Sequence, residues 1–183
     1  NSGEVDLGAE PVDILPEVRD AALAPGSFVL SEHPRLLELA AEGIDLDTEP
    51  TARINQILDW LRENIRVAPT FSIPNTLEVM QRGSGDCNEF AVMFASLARA
   101  AGIPTRIAMG LVYVEDAFYY HAWCECFLGR WVSVDPVFDQ FPADATHLRF
   151  IAGEMDRQVE ILPLIGKVGV RVIDIEPGRE SLR

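Results

Sequence analysis

A helix apolar enough to sit at the centre of a domain begins at Cys87, and the rest of the chain has to be arranged around it. Phe90, Met93, Phe94, Leu97, Ala98 and Ala101 recur on one face at helical spacing. Gly102 and then Pro104 end it, because glycine accepts a left-handed cap and proline has no N–H to continue the ladder. Elements rich in apolar residues must lie against such a helix to keep it from water.

The flanking sequence supplies them in two textures. Upstream, helical pattern begins after Pro34 with Leu36, Leu37, Leu39 and Ala40. Asp47-Thr48-Glu49-Pro50 predicts a cap with proline in the first turn, followed by the stripe Ile54, Ile57, Leu58, Leu61 and Ile65. A short helix is predicted over Thr76 to Arg82. Downstream the chain turns strand-like over Arg106 to Val114, Phe118 to Phe127, Arg130 to Val134 and Lys167 to Ile175. Helices first and strands afterwards predict an α+β fold, with an antiparallel sheet packed on the central helix. Residues 1–30 hold several Pro, Gly and acidic residues without periodicity and are expected to form an extended arm or linker. Residues 31–183 are expected to form one domain, with Val159 to Gly166 as a buried connection into the last strand.

Composition removes several function classes. The net charge of −14 opposes binding to nucleic acid, whose phosphates it would repel. No apolar run reaches the roughly 18 residues a membrane span needs. Three cysteines, an odd number, do not build a disulfide framework in 183 residues. The chain opens on Asn1 rather than Met, so a processed or trimmed product is expected. Export with signal removal is the preferred cause, which favours an extracytoplasmic over a cytoplasmic location.

The helix opens on a thiol. Gly85-Asp86-Cys87-Asn88 places Cys87 where a glycine-containing turn enters the first helical turn. Unpaired N–H groups there favour a thiolate and can hold an oxyanion. The base is found downstream. His121 to Phe127, the turn Leu128-Gly129-Arg130 and Trp131 to Asp135 read as a hairpin in which Phe127 pairs with Arg130 or Trp131. Counting back, Asp135 falls opposite residue 122 or 123, beside His121. Cys87 then reads as nucleophile, His121 as general base and Asp135 as the carboxylate that orients the ring.

Gly85-Asp86-Cys87 with the exit Leu97-Ala98-Arg99-Ala100-Ala101-Gly102-Ile103-Pro104, then His121-Ala122-Trp123-Cys124-Glu125 and Trp131 to Pro136, resembles the transglutaminase-like superfamily. The likeness spans residues 31–153 and includes Leu58 to Ile65 as the helix before the core. It implies a papain-like core, the triad Cys87, His121 and Asp135, and acyl transfer through a thioester. The implied partner is a protein or peptide substrate, with no cofactor and no metal. Two positions depart from the family pattern. Val67 stands where many bacterial relatives carry an aromatic residue, which leaves the side-chain half of the oxyanion hole unassigned, and Cys124 is unusual at its place.

Less specific readings compete. Cys124 and Cys126 with His121 suggest zinc, but strand alternation turns the two thiols to the face opposite His121, so both are expected in the core. Tyr119, Tyr120, Trp123 and Trp131 fit a cleft wall as well as a core, and Tyr120 and Trp123 join Gly85, Asp86 and Asn88 as candidate flanking residues. The acidic run from Glu42 to Glu49 lacks the spacing of a calcium loop and reads as a solvated face. His33 and His147 show no partners in the sequence. The expected function is amide hydrolysis in preference to transamidation. The alternative is a non-catalytic module that keeps the fold to bind peptide or cell wall.

Overall fold

A computed structural model describes residues 12–70, 75–164 and 167–170. Five helices, α1 (Pro16–Leu23), α2 (Pro34–Gly43), α3 (Pro50–Asn64), α4 (Thr76–Arg82) and α5 (Cys87–Ala100), interleave with two short strands, β1 (Arg66–Val67) and β2 (Ser84–Gly85). The strands β3 (Thr105–Val114), β4 (Ala117–Phe127), β5 (Trp131–Val134) and β6 (His147–Gly153) follow, and then two 3₁₀ turns over Met155–Glu160 and Leu162–Leu164. The four long-range strands form one antiparallel sheet in the order β5-β4-β3-β6, while β1 and β2 pair in parallel. This is the expected α+β architecture, with α5 packed on β4 and β3.

From Asn88 to Arg99 every residue of α5 is buried. The helix is surrounded, with α2, α3 and α4 on one side and the sheet on the other. The predicted α3 stripe Ile54, Ile57, Leu58, Leu61 and Ile65 is buried to the last residue and joins the same core. Arg99 enters that core only because each donor finds an acceptor: Thr105 O at 2.9 Å, Ala24 O at 2.6 Å and the Glu154 carboxylate at 2.5 Å. Cys124 and Cys126 are fully buried and unbridged, on the α5 face as alternation required, with the Cys124 thiol against Ala91 O.

Several local expectations are corrected. The segment expected to be an irregular arm contains α1, and Val29 behind it is completely buried in the core. Thr76 Oγ1 ties that stretch to α4 by accepting the Leu30 N–H at 2.9 Å. Helix α3 begins at Pro50 as predicted, but Glu49 supplies no side-chain cap. His33 does have a partner: its Nδ1 accepts the Arg35 N–H and caps α2. The stretch from Val159 is not a buried connection among the described residues, where Val159 is 63% exposed and only Ile161 is sealed. Residues 167–170 form no strand, and 171–175 of that predicted strand lie outside the described residues. Strand β6 was not anticipated. It lies on the sheet edge, and its pairing slips beside Gly110, where a side chain would run into Leu148 O. No helix among the described residues is long and apolar enough to cross a membrane.

Candidate active site

The start of α5 is held by reciprocal bonds. Asp86 is the N-cap and its carboxylate accepts the Asn88 N–H at 3.0 Å, while Glu89 reaches back to accept the Asp86 N–H at 3.0 Å. The Glu89 side chain is completely buried, and Thr70 donates to it at 2.6 Å. Gly85 is required by this packing, because a Cβ there would overlap the Glu89 side chain. The glycine, the acid and the thiol of the motif are thus one device that fixes the backbone at Cys87. Glu89 went unread in the sequence, although Asp86 and Glu89 have capping-box spacing.

The hairpin closes as counted. Phe127 pairs with Trp131 and Cys124 with Val134, so Asp135 follows directly and turns to His121. His121 Nε2 lies 2.6 Å from Asp135 Oδ2, with Asp135 fully buried and His121 at 5% exposure. With Nε2 engaged there, the ring's Nδ1 is left for a second proton-transfer partner. β5 pairs with β4 only over 124–127. Cys87 faces the backbone of Ala122, the residue after His121, and senses Asp135 as a charge. Among the described residues its sulfur makes no hydrogen bond to the imidazole; the structure brings His121 and Asp135 into contact and sets the thiol near them. Tyr120 donates to Asn88 Oδ1 at 3.0 Å, which joins two of the flanking candidates across the cleft. Trp123 packs on the His121 ring at 6.1 Å between centroids, and Phe138 covers it at 5.1 Å. Trp131 lies elsewhere, under the Arg106 guanidinium at 4.0 Å, and Tyr119 is exposed.

One partner of the site had no signal in the sequence. His147, the first residue of β6, brings Nε2 to 2.8 Å from the same Asp135 Oδ2, and its side chain is 3% exposed. The other oxygen, Oδ1, accepts the N–H groups of Val137 and Phe138 at 2.8 and 3.1 Å. One carboxylate therefore joins two imidazoles that stand 26 positions apart in sequence, a proximity that only the β6 crossover creates. His121, Asp135 and His147 offer ligand atoms within 4.8 Å of one another. The two N···O separations are nevertheless those of shared protons, shorter than the roughly 3.3 Å between ligands on a tetrahedral zinc.

Electrostatics follow from this packing. Burial would raise the Asp135 carboxyl, but the bonds from His121 and His147 hold it well below the usual carboxylate range. For His147 burial works downward, and the Asp135 carboxylate outweighs it and lifts the imidazole above its ordinary value. The Cys87 thiol is pushed up to about 12 by burial, opposed by the Ala122 N–H and reinforced by Asp86, Asp135 and Glu89. The helix terminus was expected to lower it; desolvation and three carboxylates overcome that dipole, whose worth is typically 0.3–1 kcal/mol.

The His147 shift has a testable sign. A raised folded pKa stabilises the fold fully below the unfolded value of about 6.5 and stops doing so as pH rises through the folded value. Asp135, Asp144 and His121 are the titratable groups facing the ring. The melting temperature is expected to fall between about pH 6 and 8, and His147→Gln to flatten that slope. Equal slopes in the two proteins would remove His147 as its source.

A model of the transglutaminase-like superfamily matches residues 38–136. Among solved structures, a candidate cysteine protease from Cytophaga hutchinsonii aligns with a TM-score of 0.64 at 22% identity, over 77% of this chain and 48% of that one. The periplasmic domain of TgpA from Pseudomonas aeruginosa, bound to ethylmercury, gives 0.55 at 26% identity over 69% and 50%. Legionella pneumophila LapG gives 0.52 at 12% identity over 80% and 87%. The first and third likenesses, below 25% identity, concern the fold alone. The chain spans about half the length of the first two structures. No curated protein matches it.

Proposed function

The chain belongs to the transglutaminase-like superfamily, and from that premise we propose that it is a cysteine-dependent enzyme acting on amide bonds of a protein or peptide. The observation that carries this reading is the buried His121–Asp135 bond beside the thiol that opens α5. Cys87 gives its proton to His121 Nδ1 as the sulfur attacks the carbonyl carbon, and the carbonyl oxygen takes up the negative charge. In this reading the Cys87 N–H, at the first helical position and outside the helix's own ladder, receives that charge. The C–N bond then breaks, His121 returns the proton to the departing amine, and a thioester remains on Cys87. Asp135 holds the ring and balances the imidazolium, while His147 fixes Asp135 from the other side. Water attacks the thioester with His121 taking its proton, the acid leaves and the thiol is restored.

Water is the default acceptor because it needs no dedicated site, whereas transamidation requires a cleft that binds a primary amine in its place. We therefore favour hydrolysis. An extracytoplasmic setting is also our reading; the TgpA domain that this chain resembles is periplasmic. The test is incubation with a peptide library, with and without a primary amine, read by mass spectrometry. Shortened peptides are expected in both arms. Amine adducts without cleavage would reverse the choice of acceptor, and an inert protein would return the non-catalytic binding module.

A further inference from the structure

On the sheet face that carries α5, beyond Tyr120, lies a half-open cavity of about 400 Å³. Leu111 and Tyr120 are cross-strand partners, and Phe118 stands two places before Tyr120, so the three side chains share that face. Phe150, at the slipped register of β6, closes one side, and Ile161 and Leu164 from the 3₁₀ turns close the top. Most of the lining side chains are apolar or aromatic, although much of the wall itself is polar, and among the described residues Asp116 is the one charged residue in the lining. Phe150 and Leu164 are 38% and 41% exposed at the rim. Wet apolar surface of this kind is unfavourable, and a bound apolar group relieves that cost.

One residue links the cavity to the neighbourhood of Cys87. The Tyr120 ring forms a wall, while its hydroxyl bonds Asn88, the neighbour of Cys87, and lies within the field of Cys87 and Asp86. An extended polypeptide advances about 3.3–3.4 Å per residue, with alternate side chains on one side. A peptide whose scissile carbonyl meets Cys87 can therefore carry a side chain one or two residues away toward Tyr120. We propose that this cavity is a specificity pocket for a large apolar side chain, such as Leu or Phe, within two residues of the bond that is cut. Asp116 opposes an acidic residue there by like charge. The proposal rests on the enzymatic reading given above and names its substrate class.

The experiment uses decapeptides with a fixed centre, in which each position within three residues of the central amide is in turn Leu, Phe, Ser or Glu. Binding to Cys87→Ala protein is read by fluorescence anisotropy, and turnover by the unaltered protein is read by mass spectrometry. One position is expected to favour Leu and Phe over Ser and Glu by at least about tenfold in both, as pockets for apolar groups do. Leu164→Asp, a rim change that circular dichroism should show to be folded, is expected to erase that preference. Equal binding of all four residue types, or a preference untouched by Leu164→Asp, would overturn the pocket. Selective binding without any turnover would keep the pocket and sink the enzyme, whereas unselective turnover would do the reverse.

Discussion

Cys87→Ala protein is expected to lose at least about a thousandfold in turnover, because a nucleophile acting as one unit with its base has no substitute. The other two thiols cannot stand in. Cys124 and Cys126 are completely buried against α5 and β3, and burial pushes Cys126 up to about 12 and Cys124 well above its ordinary value. The measurement is the initial rate on a cleaved peptide, together with intact-mass detection of the thioester after rapid acid quench. The acyl adduct should vanish with the sulfur. A variant that kept a tenth of the rate would place the nucleophile elsewhere. Because burial pushes the Cys87 thiol up to about 12, its alkylation by iodoacetamide should keep accelerating above pH 9.

Asp135→Ala should damage two properties at once. The orienting carboxylate of such triads is worth about ten-thousandfold in turnover when removed. On sequence alone this substitution reads as a loss of activity with the fold intact. The structure gives a different expectation, because Asp135 accepts bonds from His121, His147, Val137 and Phe138 with no exposure to solvent. Deleting it strands two imidazoles inside the protein, a cost of about 3–5 kcal/mol by analogy with broken buried pairs. For a chain of this size the melting temperature should drop by about 10 °C. Asp135→Asn keeps one acceptor oxygen and should recover part of the stability while activity stays low. Unaltered melting for Asp135→Ala would show that the two-histidine bridge does not support the fold.

What could be read beforehand was local. The α4 and α5 boundaries follow from caps, glycine and proline within a few residues of one another, and the Phe127–Trp131 pairing follows from a short turn. His121 and Asp135 meet because that turn puts them in register. The α1 helix has one buried residue and no periodic stripe, so its docking depends on distant surfaces. Strand β6 sits on the edge with an uneven burial pattern and a bulge, which erases the alternation by which strands are recognised. His147 shares its position at the site with no neighbouring motif; the crossover from β5 to the far edge of the sheet brings it there.

The two sealed sulfurs of β4 have a practical corollary. A substrate-shaped electrophile carrying a biotin or dye would find a single reachable thiol per molecule, since Cys87 alone of the three contacts solvent. Label stoichiometry would then count competent molecules one for one, in purified stocks or in a crude extract, with no background from the remaining thiols and no need to engineer them away.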